Sequence, residues 1–233
     1  MNYLNKYFEI HFYTEAVMFL TLIIALLVTI TKRNKYKKLK FFPFYFGFFI
    51  VRLSIRYAHI YNSGYPPNED PFYYFDGFFE YLLVMLELLI FMQFFYQVLY
   101  SSNKKKIIKF LCIIFVIFGI SRLINDSILY SHIIISTITQ MFFLEAVLLL
   151  ISCFLYYLQI FKSPPTLKLL NEPSFFVVTG LFFFLICSFP YSLFLDLISN
   201  YPSIYRFIFS IIYIFYILLF LMVIKAFYVN QRE

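Results

Sequence analysis

Charge is scarce in this chain: 13% of its 233 residues are Asp, Glu, Lys or Arg, 63% are hydrophobic, and the mean hydropathy is +0.82. That excludes an ordinary soluble domain, where charged residues make up about a quarter of the total. Cysteine is scarce as well. Cys112, Cys153 and Cys187 fall in three different apolar segments with no spacing for metal or redox chemistry, so they read as small core residues. His11, His59 and His132 lie near the ends of three separate segments, which favours interface residues over a zinc site.

What the chain has in quantity is apolar sequence in lengths of about 20 residues or more, enough to cross roughly 30 Å of hydrocarbon as helix. Seven such segments are expected, near 10–31, 41–61, 72–100, 106–124, 131–161, 174–198 and 203–228. The predicted fold is all-α, a single seven-helix transmembrane domain over 1–233, with no segment assigned to a soluble domain. The first segment is expected to be retained, because its basic residues follow the apolar run and no small-residue cleavage site is evident.

Basic residues alternate between loops. "TKRNKYKKLK" (31–40) holds six, "SSNKKKIIK" (101–109) four and "FKSPPTLK" (161–168) two, whereas "YNSGYPPNEDP" (61–71) is acidic and 121–131 and 189–205 carry little charge. The positive-inside rule then predicts an outside N-terminus and a cytoplasmic C-terminus. The lysine clusters read as topology signals that touch anionic lipid, not as a nucleic-acid surface. Pro43, Pro71 and Pro173 fall at expected helix starts, with Asp70 a candidate cap for the third; Pro190 should kink or end the sixth.

Within this apolar background the charged residues form stripes. In "FFIVRLSIRYAHIYN", Arg52, Arg56 and His59 fall within about 60° of one another on a helix, and in "YFDGFFEYLLVMLELL", Asp76, Glu80 and Glu87 share a stripe about 40° wide. Groups of this kind cost roughly 2.5–3.5 kcal/mol each near the bilayer centre, so they should pair inside the protein. As antiparallel neighbours, the two segments would set Arg52 against Glu87, Arg56 against Glu80 and His59 against Asp76. Glu15, near the estimated level of Arg56, and Glu145, near mid-membrane, add two carboxylates. His132, Ser136 and Gln140 form a further polar stripe, with Glu145 pointing to another side of the same segment. The expected ligand or ion-pair cavity, in the outer half of the bilayer, therefore comprises Glu15, Arg52, Arg56, His59, Asp76, Glu80, Glu87, Gln140 and Glu145. A structural ion-pair staple is the competing reading of the same set.

Enzymatic chemistry finds no support. The last segment has no His-x-x-x-His pair of the kind seven-helix zinc hydrolases need, and Lys225 lies about one turn from its end rather than at the mid-height a retinal Schiff base requires. No nucleophile–base constellation or phosphate loop is present. The expectation is a protein with no catalytic residues, metal or cofactor.

Several stretches carry a resemblance: the Lys-rich first loop followed by "FFPFYF", the long aromatic third segment ending in "FFYQVLYSSNKKKIIK", and "LNEPSFFVVTGLFFFLICSFPYSLF" opening the sixth. Over nearly its whole length the chain resembles a group of poorly characterised bacterial seven-helix integral membrane proteins often encoded near sensor kinases or response regulators. The tryptophan usual in that group before the sixth segment is replaced here by "SFF". The resemblance implies a multi-pass protein of the cytoplasmic (inner) membrane and a signalling neighbourhood; it transfers no functional residue. The expected function is that of a sensor or signalling accessory working with a membrane-bound partner, with a small transporter or proton-coupled carrier second and a membrane assembly factor third.

Overall fold

The computed structural model describes residues 2–32, 36–63, 71–129, 135–162, 171–199 and 201–229. They form seven α-helices, α1 Asn2–Thr31, α2 Phe42–Ser63, α3 Pro71–Val98, α4 Ser102–Leu129, α5 Ile135–Phe161, α6 Pro173–Ser199 and α7 Pro202–Tyr228, with a 3-10 turn at Lys37–Leu39 and no strand among the described residues. Pro71, Pro173 and Pro202 each occupy the first helical position, where a missing N–H costs nothing. Asp70 lies outside the described residues. Pro190 does not end α6, which continues to Ser199, because a mid-helix proline forfeits one hydrogen bond that a long apolar helix can spare. α1 begins eight residues before the expected start; its polar first turns are helical although too polar for the membrane core.

Six helices, all but α2, are long and apolar enough to cross a membrane, which is the character of a multi-pass helical membrane protein. In α2 the apolar run is interrupted by Arg52, Arg56 and His59. The exposed side chains agree with a lipid solvent. On α4, Phe110, Ile113, Ile117, Ile120 and Ile124 are exposed at spacings of three and four, a continuous apolar stripe that water would penalise and hydrocarbon does not.

The chain divides into two compact units, residues 1–40 with 153–233 and residues 41–152. In the first, α7 packs against both α1 and α6. Tyr213 meets Glu15 and Tyr228 lies under the Lys32 ammonium, so α1 and α7 run parallel. α6 runs antiparallel to α7, with the Phe184 and Tyr216 rings 4.2 Å apart and Lys225 over Phe176. Between these contacts Gly180 lets the backbones close: a Cβ there would lie 2.8 Å from Met222 Cβ and 3.3 Å from Leu219 Cα. Close approach through a small residue is how helices gain contact energy where lipid is as apolar as the side chains.

In the second unit, α2 and α4 each run antiparallel to α3. Phe42 packs edge-on against Phe91 and Phe94, Tyr45 against Phe91, and Phe48 stacks on Phe79. Tyr81 donates to the Gly119 carbonyl, and Tyr96 lies beneath Lys105 and Lys109. The first part of α5 runs alongside α3 and parallel to it. Gly77 faces Ile138, Met85 and Met141 meet over Gly119, and the Ser152 hydroxyl is 3.5 Å from Met92 Sδ.

Candidate functional site

The charged stripes of α2 and α3 meet, a turn or more out of the expected register. Arg52 is 6% exposed. Its Nη2 is 3.1 Å from Glu80 Oε2 and donates to Asp76 Oδ2 at 3.4 Å, while Nε sits 3.3 Å from Asp76 Oδ1 without the alignment of a hydrogen bond. Arg56, expected against Glu80, has its Nε 4.0 Å from Asp76 Oδ2 and a side chain much more open than that of Arg52. His59 is half-buried on the same face of α2. The structure thus brings Arg52, Arg56, Asp76 and Glu80 into one cluster, in which Asp76 and Glu80 retain 20% and 32% side-chain exposure and can be reached from outside it.

Glu87, expected against Arg52, is instead opposite Tyr45, whose hydroxyl donates to Oε2 at 3.0 Å. Two physical facts account for the slip. A guanidinium reaches about one helical turn along the helix from its own Cα, so matching backbone heights does not fix its partner. The rings of Phe42, Tyr45, Phe91 and Phe94 interlock at the other end of the pair, and their volumes set the register independently of charge. Tyr45 was missed from sequence, although seven residues before Arg52 it lies within about 20° of the same stripe.

Glu145 is buried in the second unit, on the part of α5 that runs along α3. The buried face of α5 is that of Thr137, Met141, Glu145, Leu148 and Ser152. Gln140, about 140° from Glu145, is exposed. His132 lies outside the described residues and the side chains of His11 and Ser136 are not described. Glu15 belongs to the first unit, where it accepts a hydrogen bond from Tyr213 at 3.2 Å; the other candidate residues are all in the second. Its partner comes from α7, remote in sequence, and no local periodicity announces it.

No group of three or more His, Cys, Asp or Glu side chains is placed to hold a metal ion among the described residues. The site consists of an arginine held by two part-exposed carboxylates and, separately, two carboxyls, one on α3 and one on α5, buried among apolar side chains. Fold and site together define a helical, multi-pass membrane protein with an ionic interior. Compared with protein-family models, curated proteins and solved structures, the chain matches none.

Proposed function

We propose that this chain is a non-enzymatic, seven-span protein of a bacterial cytoplasmic membrane that senses a charged ligand through the Arg52 cluster and passes the change to a membrane-bound signalling partner. One observation carries the reading: Arg52 is buried and ion-paired to both Asp76 and Glu80, while those carboxylates stay part-exposed. A ligand bearing an ammonium or a carboxylate competes for one arm of that arrangement, and exchange of partners biases how α2 packs on α3. The seventh span in this reading is α2, whose two arginines are neutralised by α3 rather than left to lipid.

The test is photo-crosslinking in cells from Asn103, at the exposed start of α4. The expected result is an adduct with the membrane domain of a sensor kinase, identified by mass spectrometry, whose yield changes when Asp76→Asn alters the cluster. A small carrier is the second reading, favoured by the same feature, since one arginine facing two carboxylates is an exchangeable pair. Its signature is solute or proton flux in proteoliposomes that Glu80→Gln abolishes; flux with no kinase adduct overturns the sensor reading.

Orientation has its own check. With the three native cysteines replaced by alanine, a cysteine placed at Asn34, among the six basic residues of 31–40, is expected to react with impermeant maleimide only after the cells are opened. Labelling in intact cells reverses the topology.

A further inference from the structure

Arg52 is matched to Asp76 and Glu80, but two other carboxyls in the same unit have no cation. Glu87 is 3% and Glu145 4% exposed, and no ion pair within 4.0 Å reaches either of them among the described residues. Glu87 accepts a hydrogen bond from the fully buried Tyr45, whereas Glu145 Oε1 is buried with no hydrogen-bond partner at all.

The helices place these two groups at one level. α3 and α5 run parallel, and their contacts, Gly77 with Ile138, Met85 with Met141 around Gly119, and Met92 with Ser152, join residues 56 to 61 apart in sequence. Glu87 and Glu145 are 58 apart and fall between the second and third of these contacts, so the α3–α5 packing sets the two carboxyls at one level. Val84, Leu88, Phe91, Met141, Leu148 and Leu149 are the buried neighbours in sequence, and all are apolar.

Two carboxylates at one level of two packed helices, in so dry a place, cannot both remain ionised without a bound cation, because the medium neither solvates them nor screens their repulsion. No side chain among the described residues supplies one. α2 contributes Tyr45 at this level and Arg52 two turns away, already engaged; α3 contributes Glu80, engaged with Arg52. α4 carries no titratable group between Lys109 and Arg122 except the Cys112 thiol, and the second-unit part of α5 carries none besides Glu145. A hard divalent ion takes roughly six oxygen ligands, and this site offers two carboxyls and a phenol.

We propose that Glu87 and Glu145 form a proton-binding site distinct from the Arg52 cluster, in which one exchangeable proton is shared by the pair and Tyr45 orients Glu87 by donating to its other oxygen. Uptake is a simple association, one proton from water adding to one carboxylate oxygen. The O–H so formed gives the pair a donor where Glu145 Oε1 now has no partner. Loss of the proton sets two negative charges against each other across the α3–α5 contact, so occupancy is coupled to how closely these helices pack. The proposal is independent of the sensor reading and stands or falls without it.

The experiment uses the full chain in lipid nanodiscs at neutral pH. Infrared spectroscopy in H2O and D2O is expected to show a carboxylic-acid C=O band that shifts on deuteration, moves in Tyr45→Phe, Glu87→Gln and Glu145→Gln, and disappears when both glutamates are replaced by glutamine. In the unmutated protein, dicyclohexylcarbodiimide, which reacts with protonated carboxyls in apolar surroundings, is expected to modify Glu87 or Glu145, as located by peptide mass spectrometry. Modification should fall at least tenfold as pH is raised, and sodium at constant pH should leave it unchanged. The carbodiimide arm needs no variant to fold. Absence of the band and of modification at both glutamates overturns the proposal, as does a band that neither single glutamine variant moves or that survives in the double variant. Protection by sodium also overturns it, by making the occupant a metal cation.

Discussion

Replacing Arg52 by leucine is expected to destabilise the protein by about 3 kcal/mol, because it removes the buried partner of both Asp76 and Glu80 and leaves two carboxylates with only the more exposed Arg56 nearby. Breaking a buried pair typically costs about 3–5 kcal/mol, and the lower end applies here because both acids keep partial access to water. The measurement is reversible unfolding in mixed micelles, with the loss read as a shift of the midpoint. The triple variant Arg52→Leu, Asp76→Asn, Glu80→Gln should recover most of that loss, since the one charge it leaves in the cluster is that of the more exposed Arg56. If the cluster is a structural staple, the recovered variant also keeps its kinase adduct; if it is the ligand site, the variant folds and no longer responds. A single variant as stable as the parent would show that the guanidinium contributes nothing to holding α2 on α3.

The cluster was legible in the sequence because its ingredients are local. Arg52 and Arg56, and Asp76 and Glu80, are each one turn apart on an apolar helix, and the connection between α2 and α3 is short, so charge neutralisation could act only between neighbours. Helix ends were legible for similar reasons: α2 to α7 begin and end within about five residues of expectation, set by prolines, lysine runs and the length a membrane demands. What was not legible depended on partners far apart in the chain. The α3–α5 alignment that sets Glu145 at the level of Glu87 follows from parallel helices joined through α4, and Glu15 finds Tyr213 only because α1 lies along α7. Gln140 and Glu145 offered two possible inward faces on α5. Packing chose the second, which is buried, and left Gln140 exposed.

Substituting Gly180 by valine is expected to be the most disruptive change in the other unit. The first carbon added there would stand 2.8 Å from Met222 Cβ, a separation that bonded neighbours force but packed atoms do not accept, and 3.3 Å from the Leu219 Cα. Neither is the far end of a flexible side chain, so relief requires α6 and α7 to move apart. That movement also loosens the contact of Phe184 with Tyr216 one turn away. Overpacking of this kind costs about 1–3 kcal/mol, and the upper part of that range is expected because backbone, not a rotamer, must yield. Gly47 is the control. A Cβ at that position meets nothing within 4 Å, so Gly47→Ala on α2 should be neutral or stabilising by up to about 1 kcal/mol, the usual gain for exchanging a mid-helix glycine. Unfolding midpoints of the two variants in the same detergent check both. Equal shifts for Gly180→Val and Gly47→Ala would show that the close approach of α6 and α7 does not limit stability.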